Sequence, residues 1–408
     1  MTERIVIVGG GQAAVSLGAA LRELHHDCQV TIIGDEPYPP YQRPPLSKKY
    51  LLGETARENL QIRPPDWYRN NAIELRLGAR ARALDRRART VALVDGTVLP
   101  YDRLVLATGA SPRQLPAAIG GRLGGVWTIR GLADIDRLSS SFHQSRSVLL
   151  VGGGYVGLEI AAVAARKGLN VTLVEAAGRI LQRVAAQDTS DFFRKLHAQN
   201  GVRIIEGVGI GHFHERNGRV SGASLTNGEE IAAELVIVGI GAIPNDQLAV
   251  AAGLDVSDGI RVDAACRTSD PRVLAIGDCA TFEHEGRPLR LESVPNAIDM
   301  ARTAALAIVT GEACYRPMPW FWSDQYDIKL QIAGLSHGYD RTVARPGKRE
   351  GSSSVWYFKG DRLIAVDAMN DAASYMMSKK IIEQGNTLPI SLVQDLSSDL
   401  RRAPPGVH

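Results

Sequence analysis

Residues 148–175 read V-L-L-V-G-G-G-Y-V-G-L-E-I-A-A-V-A-A-R-K-G-L-N-V-T-L-V-E, and this stretch decides the fold. The apolar run that opens it is typical of a buried parallel strand. Gly152, Gly154 and Gly157 follow in the spacing G-x-G-x-x-G, and an apolar helical segment leads to a second strand that ends at Glu175. The stretch therefore predicts a strand–helix–strand unit that binds a dinucleotide.

The spacing of the three glycines matches what a dinucleotide requires. One glycine allows a tight turn, a second lets backbone N–H groups approach the pyrophosphate, and a third lets helix and strand pack closely. An ordinary glycine-rich turn is the alternative interpretation. Glu175 lies where a carboxylate accepts the ribose 2′-hydroxyl, which favours NADH over NADPH. Arg179 follows four residues later and would suit a 2′-phosphate, so the preference is not absolute.

A second unit of the same kind opens the chain. An apolar strand is followed by Gly9, Gly11 and Ala14 in the variant G-x-G-x-x-A, then by a helix to about His25 and a strand that ends near Asp35. The chain therefore contains two dinucleotide sites. Two such sites favour two different nucleotides that react with each other, most simply FAD and a nicotinamide.

Length and composition limit the class of protein. A chain of 408 residues is too long for one compact core, so two or three domains are expected. The formal net charge of +3 argues against a general nucleic-acid binder, although a local basic patch could still dock an acidic protein. We expect no secretory signal and no membrane span, because neither a leader pattern nor an apolar run of about 18 residues is visible. The expected location is the cytoplasm.

The cysteines are Cys28, Cys266, Cys279 and Cys314, and no C-x-x-C occurs. This spacing excludes a local redox dithiol and a zinc ribbon. Four scattered cysteines fit a reducing cytosol, and we expect all four to be small buried side chains.

Two segments of the first hundred residues leave alternatives open. Four prolines within residues 38–50 predict a stiff loop, which is either a rigid connection or a loop that lies along a cofactor. Residues 74–101 alternate strand-like segments with turns and predict a β-meander. We interpret its arginines mostly as a solvated face, with a binding patch as the alternative; they are Arg76, Arg80, Arg82, Arg86, Arg87 and Arg89.

The later part of the chain predicts further buried strands and a separate C-terminal domain. A strand at 273–276 ends in Gly-Asp, where an acid can hold a sugar or ribityl hydroxyl, and a helix is expected at 298–309. After Gly311 the chain becomes rich in aromatic residues, which indicates an α+β domain. Its predicted elements are strands at 327–334, 340–345, 354–359 and 362–369 and a helix at 372–384, with a frayed tail from Ala403.

These stretches together resemble the FAD-dependent, NADH-linked ferredoxin reductases of bacterial oxygenase systems, such as those of the putidaredoxin reductase and biphenyl dioxygenase reductase type. The resemblance covers essentially the whole chain. Its motifs are R-P-P-L-S-K at 43–48, L-A-T-G at 106–109, G-G-G-Y-V-G-L-E at 152–159, A-I-G-D-C-A at 275–280, E-S-V-P-N-A at 292–297 and P-W-F-W-S-D-Q-Y at 319–326.

The resemblance implies an α/β flavoprotein of glutathione-reductase-like architecture. It would comprise a discontinuous FAD-binding domain (1–110 and 242–316), an NAD-binding domain (111–241) and an α+β C-terminal domain (317–408). Relatives that reduce disulfides carry cysteine in the loop after the first unit. Here that loop, at 43–48, has no sulfur, so disulfide reduction is excluded and electrons must pass to an external acceptor.

The resemblance also assigns roles to individual residues. Lys48, beside the isoalloxazine ring, and its partner Glu159 are the expected catalytic pair, Tyr155 would gate the nicotinamide pocket, and Arg302 and Lys379 would dock the electron acceptor. The expected FAD-binding residues are Gly9, Gly11, Ala13, Ala14, Asp35, Arg43, Lys48, Ala81, Thr108, Gly109, Arg130, Asp278, Val294 and Trp322. The expected NAD-binding residues are Gly152, Gly154, Tyr155, Gly157, Glu159 and Glu175. No metal site is expected.

The function that these features imply is electron transfer from NADH through FAD to a small [2Fe-2S] ferredoxin. The ferredoxin would serve a cytochrome P450 or a ring-hydroxylating oxygenase. One alternative is a reductase of rubredoxin or of a small molecule, with the same cofactors. A second alternative is a flavoprotein that responds to NADH by changing its binding to a partner protein. Neither a nucleic acid nor a membrane is an expected partner, and the protein is expected to be a monomer or a weak dimer.

Overall fold

The computed structural model describes residues 2–400. Its strands, in chain order, are β1 (Glu3–Val8), β2 (Cys28–Ile33), β3 (Ile73–Arg76), β4 (Ala81–Asp85), β5 (Thr90–Leu93), β6 (Val98–Pro100), β7 (Arg103–Leu106), β8 (Ala110–Pro112), β9 (Val126–Thr128), β10 (Ser147–Val151), β11 (Asn170–Glu175), β12 (Arg203–Glu206), β13 (Ile210–Arg216), β14 (Arg219–Leu225), β15 (Glu230–Ala232), β16 (Leu235–Val238), β17 (Ala242–Pro244), β18 (Ile260–Arg261), β19 (Val273–Ala275), β20 (Ala280–His284), β21 (Arg287–Leu289), β22 (Trp320–Gln325), β23 (Ile328–Gly334), β24 (Arg341–Pro346), β25 (Ser353–Lys359) and β26 (Arg362–Met369).

The α-helices are α1 (Gln12–Glu23), α2 (Pro65–Asn70), α3 (Leu132–Gln144), α4 (Tyr155–Arg166), α5 (Gln187–Gln199), α6 (Gln247–Ala251), α7 (Val294–Thr310), α8 (Ala372–Glu383) and α9 (Ile390–Gln394). Within the described range, no helix is both long enough and apolar enough to cross a membrane.

The chain forms two compact units. The first contains the residues up to Arg43, Thr55–Ser111 and Ala242–Pro317. The second contains Pro44–Glu54, Pro112–Gly241 and the residues from Met318 on.

The first unit is built on a five-stranded sheet in the order β19-β7-β1-β2-β3, in which neighbouring strands are parallel. The central strands are apolar and buried, because helices of a parallel sheet cover both faces. Helices α1 and α7 pack against each other, and their buried small residues allow a close approach. Two three-stranded sheets, β4-β5-β6 and β18-β20-β21, complete the unit.

The second unit contains a parallel sheet in the order β12-β11-β10-β16-β9, a three-stranded sheet β13-β14-β15 and an antiparallel sheet β22-β23-β26-β25-β24. The predicted turns at Asn217-Gly218 and Asn227-Gly228 join β13 to β14 and β14 to β15, with Asn217 and both glycines at positive φ. The last sheet packs against α8, whose buried face includes Tyr375 and Ile381.

Several expectations from sequence need correction. The aromatic-rich segment Trp320–Gln325 is a strand, β22, that pairs with β23, although its polar residues hid the pattern. Helix α7 starts at Val294 instead of 298, because Ser293 caps it and Pro295 suits its first turn. Cys314 is exposed, unlike the other three cysteines.

One arginine of the meander is structural and does not belong to a solvated face. Arg86 forms an ion pair with Asp270 at 3.0 Å and donates to the carbonyl oxygens of Ala252 and Gly253. The predicted tail from Ala403 lies outside the described residues.

Candidate active site

The N-terminus of α4 is open toward a ligand. Gly152 has φ +109°, and a Cβ there would lie 2.4 Å from the Gly239 carbonyl oxygen. A Cβ on Gly157 would lie 2.1 Å from the Gly152 carbonyl oxygen, so glycine at this position allows α4 to pack closely against the end of β10. A Cβ on Gly154 would meet nothing within 4 Å. The first and third glycines are therefore needed by the fold, while the second leaves space in front of the helix.

The N-terminus of α1 has the same construction. Gly9 has φ +123°, and a Cβ would lie 2.0 Å from the Ala107 carbonyl oxygen, whereas Gly11 faces open space. The third position is Ala14, which is fully buried. Ala13 is also buried, and a Cβ on Gly277 would lie 3.2 Å from its methyl group.

Neither helix start carries a side-chain cap or an acid in its first turn. Uncapped N–H groups with open space in front of them are what a pyrophosphate requires. Both sites therefore fit a dinucleotide.

Glu175 at the end of β11 is held by the backbone. Its Oε2 accepts from the Gly153 N–H at 2.6 Å and its Oε1 from the Ala177 N–H at 2.7 Å. These bonds aim the carboxylate at the glycine turn and leave lone pairs for a ribose hydroxyl.

Arg179, whose position left NADPH open, is bonded to neighbouring protein atoms. Its guanidinium donates to the Ala185 carbonyl oxygen at 2.7 Å and to Ser190 Oγ at 2.5 Å, and it also reaches the Ala186 carbonyl oxygen. The acceptors of these bonds lie within residues 185–190, at the start of α5. We therefore expect the acid at position 175 to determine the local charge toward the nucleotide.

Lys48 and Glu159 form an ion pair, with Nζ 2.9 Å from Oε1. Glu159 is 4% exposed, and its carboxylate also accepts from Ser47 Oγ and Ser323 Oγ, each at 2.7 Å. Sequence reasoning found the ion pair but missed both serines. Ser47 lies in the R-P-P-L-S-K motif and Ser323 in the W-F-W-S-D-Q motif, so the signal was present without an indication of contact.

Tyr155, the first residue of α4, packs its ring against Phe321 at a centroid distance of 5.0 Å. Burial raises the pKa of its hydroxyl well above the usual value, with Asp367 and Tyr357 contributing. The hydroxyl has no hydrogen-bond partner within the described part of the chain. Tyr155 is therefore a neutral, partly buried residue directly after the glycine turn, with its hydroxyl buried.

Asp367 is the centre of a buried polar cluster in the second unit. Its Oδ2 accepts from Thr189 Oγ1 at 2.7 Å and from the Tyr357 hydroxyl, which in turn accepts from the Ala186 N–H at 2.8 Å. Burial raises the pKa of Asp367 to about 6. Sequence reasoning gave this cluster no role.

Several of the expected FAD residues cluster in the first unit. Arg43 forms an ion pair with Glu36 at 2.6 Å, and the charge of Asp278 also helps to raise the pKa of its guanidinium against the opposing effect of burial. Asp278 lies in the turn after β19. Asp35 is exposed, whereas the neighbouring Glu36 is engaged by Arg43 and by the Tyr41 hydroxyl.

The Thr-Gly turn after β7 is fixed by Asn245, a residue that sequence reasoning did not select. Thr108 Oγ1 donates to the Asn245 carbonyl oxygen at 2.5 Å, and Asn245 Nδ2 donates to the Thr108 carbonyl oxygen at 2.9 Å. The Asn245 N–H donates to the carbonyl oxygen of Gly109, which has φ +68°. The contacts hold the turn in a left-handed conformation that glycine permits.

The remaining expected residues take separate positions. Val294 is the first residue of α7, which Ser293 caps, and Ala81 is the first residue of β4. Arg130 precedes α3, where its backbone N–H donates to Asp134 at 3.0 Å. Arg302 is exposed on α7 of the first unit.

The aromatic residues of β22 form a stack. The rings of Trp320 and Trp322 lie 5.7 Å apart at 30°, and the Lys379 ammonium lies 5.0 Å from the Trp320 ring centroid. Lys379 belongs to α8, so this cation–π contact joins the helix to the edge of the C-terminal sheet.

Comparison with known proteins agrees with this geometry. Residues 3–301 match the model of the pyridine nucleotide-disulphide oxidoreductase family, and residues 320–403 match the model described as reductase C-terminal. The chain belongs to the pyridine nucleotide-disulphide oxidoreductase family. The expected fold class is confirmed, and the protein is an FAD- and NAD(H)-dependent oxidoreductase.

Individual relatives span nearly the whole chain. Rhodocoxin reductase of Rhodococcus erythropolis is 40% identical over 98% of this chain and 94% of its own length. A structure of the covalent putidaredoxin reductase–putidaredoxin complex has a chain that is 40% identical, with a TM-score of 0.93 and coverage of 98% and 97%. A rubredoxin-NAD(+) reductase of Pseudomonas putida is 38% identical over 90% of this chain and 95% of its own length.

Proposed function

We propose that the protein oxidises NADH and passes the electrons to a [2Fe-2S] ferredoxin that supplies a cytochrome P450 or a ring-hydroxylating oxygenase. The observation that carries the proposal is the Lys48–Glu159 ion pair beside the glycine turn of α4. Lys48 lies in the loop at 43–48, which contains no cysteine. A disulfide-reducing relative needs cysteine in that loop. FAD, when bound, takes up a hydride from NADH as two electrons and releases electrons one at a time, which suits a one-electron acceptor.

We assign the two nucleotides to different parts of the chain. FAD belongs to the domain formed by 1–110 and 242–316, where Gly11 and the start of α1 hold its pyrophosphate. NAD(H) belongs to 111–241, where Gly154 does the same and Glu175 accepts from the ribose. The domain at 317–408 supplies Trp322 and part of the surface at which the electron acceptor docks.

The protein's own residues bind and orient the cofactors and control the local charge. Lys48 contributes a positive charge that Glu159 holds in one place, because the carboxylate is buried and has lone pairs for three donors. Tyr155 stays neutral and covers the nicotinamide site. No acid–base step is needed beyond these roles.

We propose that the acceptor docks through opposite charges, since ferredoxins are acidic and the protein offers Arg302 and Lys379. A rubredoxin acceptor is the second candidate, favoured by the similarity to a rubredoxin-NAD(+) reductase. We also propose a cytoplasmic location, which the three buried free thiols fit.

Charge reversal tests the acceptor proposal. Arg302→Glu and Lys379→Glu are expected to raise the KM for a [2Fe-2S] ferredoxin about tenfold each and to leave the reduction of a small dye unchanged. Arg82→Glu, at an exposed position of β4, is the matched control and should change neither. Equal losses of activity with ferredoxin and with the dye would contradict the docking role. Faster turnover with rubredoxin than with any ferredoxin would identify rubredoxin as the acceptor.

A further inference from the structure

A continuous line of buried polar side chains starts at Glu159 and lies within the second unit. Ser323 Oγ lies 2.7 Å from Glu159 Oε1, and Gln325 Nε2 lies 3.2 Å from Ser323 Oγ. Gln325 Oε1 lies 2.8 Å from His197 Nε2, and the Tyr326 hydroxyl lies 3.1 Å from His197 Nδ1. Ser323, Gln325 and His197 are each fully buried.

The charge at one end determines the direction of every bond in the line. An ionised carboxylate only accepts, so Ser323 must donate its single proton to Glu159. The Ser323 oxygen can then only accept from Gln325, which must present its amide NH2 group. Gln325 Oε1 is thereby left to accept from His197.

The other end of the line satisfies the same rule. Burial lowers the pKa of His197 to about 4, so the imidazole is neutral near pH 7 and carries a single N–H. That proton must sit on Nε2, because Gln325 presents an oxygen there. Nδ1 is then an acceptor, and the Tyr326 hydroxyl is the donor that it meets. All the donors therefore point toward Glu159.

We propose that Ser323, Gln325 and His197 are positioning residues that hold the Glu159 carboxylate in place and aimed at Lys48. The proposal deepens, and rests on, the proposed role of the Lys48–Glu159 pair in hydride uptake from NADH. The line joins three elements that are distant in sequence: α4 carries Glu159, β22 carries Ser323 and Gln325, and α5 carries His197.

Ser323 is the link on which the arrangement depends. Removal of its hydroxyl leaves Glu159 with one donor fewer, so the carboxylate is held less firmly in its position beside Lys48. Gln325 simultaneously loses its acceptor. The C-terminal sheet thus acts on Lys48 through Glu159.

The first test compares Ser323→Ala with Ser323→Thr, which retains a hydroxyl. Ser354→Ala is the matched control, because Ser354 is a fully buried serine of the same sheet that accepts from Trp356 instead. In the holoenzyme, Ser323→Ala is expected to slow NADH-driven flavin reduction several-fold at a fixed neutral pH while the Kd for NADH stays unchanged. Ser323→Thr should restore the rate and Ser354→Ala should leave it unchanged. A wild-type rate in Ser323→Ala would overturn the proposal.

A spectroscopic measurement separates this proposal from the function on which it rests. The infrared antisymmetric stretching band of the Glu159 carboxylate at neutral pH, assigned by its loss in Glu159→Gln, should shift in frequency in Ser323→Ala relative to wild type, because the carboxylate loses one hydrogen bond. An unchanged band would overturn the role of Ser323 whatever the kinetics show. If Glu159→Gln itself reduces flavin at the wild-type rate, the proposed catalytic role of the pair fails, while the band still decides whether Ser323 controls the carboxylate.

The tautomer of His197 provides a test without any substitution in the line. Nitrogen NMR of the ¹⁵N-histidine-labelled holoenzyme, assigned with His197→Gln, is expected to find the proton on Nε2 at neutral pH. A proton on Nδ1 would reverse the line and contradict the proposal, even if Ser323→Ala fails to fold.

Discussion

Glu159 Oε1 lies 2.9 Å from Lys48 Nζ, although the two residues belong to segments that are more than one hundred positions apart. The lysine side chain is 16% exposed and the glutamate 4%. Charges shielded to this degree are retained in pairs, because a lone buried charge is costly. The pair therefore fixes the loop at 44–54 against α4, the helix at which we propose that the nicotinamide binds.

Lys48→Met is expected to slow NADH-driven flavin reduction at least tenfold and to change the midpoint potential of the bound flavin. Stopped-flow absorbance and a spectroelectrochemical titration measure the two quantities. The variant also leaves Glu159 buried without its counter-charge, so we expect a loss of about 3 kcal/mol in unfolding free energy. Lys48→Met/Glu159→Gln should recover most of that stability without recovering the rate. Unchanged reduction rate and potential in Lys48→Met would refute its role.

Alanine at the second glycine of each glycine motif should affect the binding of one cofactor and not of the other. Gly11→Ala is expected to weaken FAD retention, and Gly154→Ala to raise the Kd for NADH, each about tenfold or more. Neither change should cost more than about 0.5 kcal/mol of stability, because both Cβ atoms enter open space. Equilibrium dialysis and denaturant unfolding check this. Gly157→Ala is the contrasting variant, since its Cβ would collide with the Gly152 carbonyl oxygen and should prevent folding of the domain.

Glu175 and Arg179 should differ in their effect on coenzyme choice. Glu175→Gln removes the negative charge and is expected to lower the NADH-to-NADPH ratio of kcat/KM about tenfold, or about 1.4 kcal/mol. Arg179→Ala is expected to reduce stability while leaving that ratio unchanged, because the guanidinium is bonded to Ala185, Ala186 and Ser190. A selective loss of NADPH activity in Arg179→Ala would show that the arginine binds the 2′-phosphate.

Asp367 should make stability depend on pH. Its pKa is raised from 3.8 to about 6 by burial, so the folded state holds the proton more tightly than the unfolded state. Its contribution to stability is full below pH 4 and is lost as pH rises through 6. The unfolding free energy of Asp367→Asn relative to wild type should therefore rise by up to roughly 3 kcal/mol between about pH 4 and 7. Tyr357 and Tyr155 stay neutral in this range and do not add to the slope. Parallel curves for both proteins would contradict the shift.

Local patterns allowed much of the fold to be predicted. Apolar runs and turn residues predicted the strand–helix–strand units at both glycine motifs, the hairpins at Asn217 and Asn227, and four strands of the C-terminal sheet. The first strand of that sheet, β22, was missed because aromatic and polar side chains share it, and its polar residues form the line to Glu159.

The candidate site was less accessible from sequence. Glycine spacing reveals a turn, but Ser323 and Gln325 of β22 meet Glu159 of α4 and His197 of α5 only in the folded chain. Asn245 likewise gains its role from a contact with Thr108 that no local pattern contains. Arg179 is the opposite case. Its position in the sequence suggested that it binds a phosphate, whereas its guanidinium donates to Ser190 Oγ and to the Ala185 carbonyl oxygen.

The central claim is that electrons pass from NADH through the bound flavin to a [2Fe-2S] ferredoxin. The most direct measurement is anaerobic stopped-flow, in which the yellow protein is reduced with one equivalent of NADH and then mixed with [2Fe-2S] ferredoxins or, separately, with rubredoxin. We predict fast loss of the yellow absorbance, followed by transfer to a ferredoxin that slows at high salt. Reduction by NADH without transfer to any ferredoxin would contradict the claim.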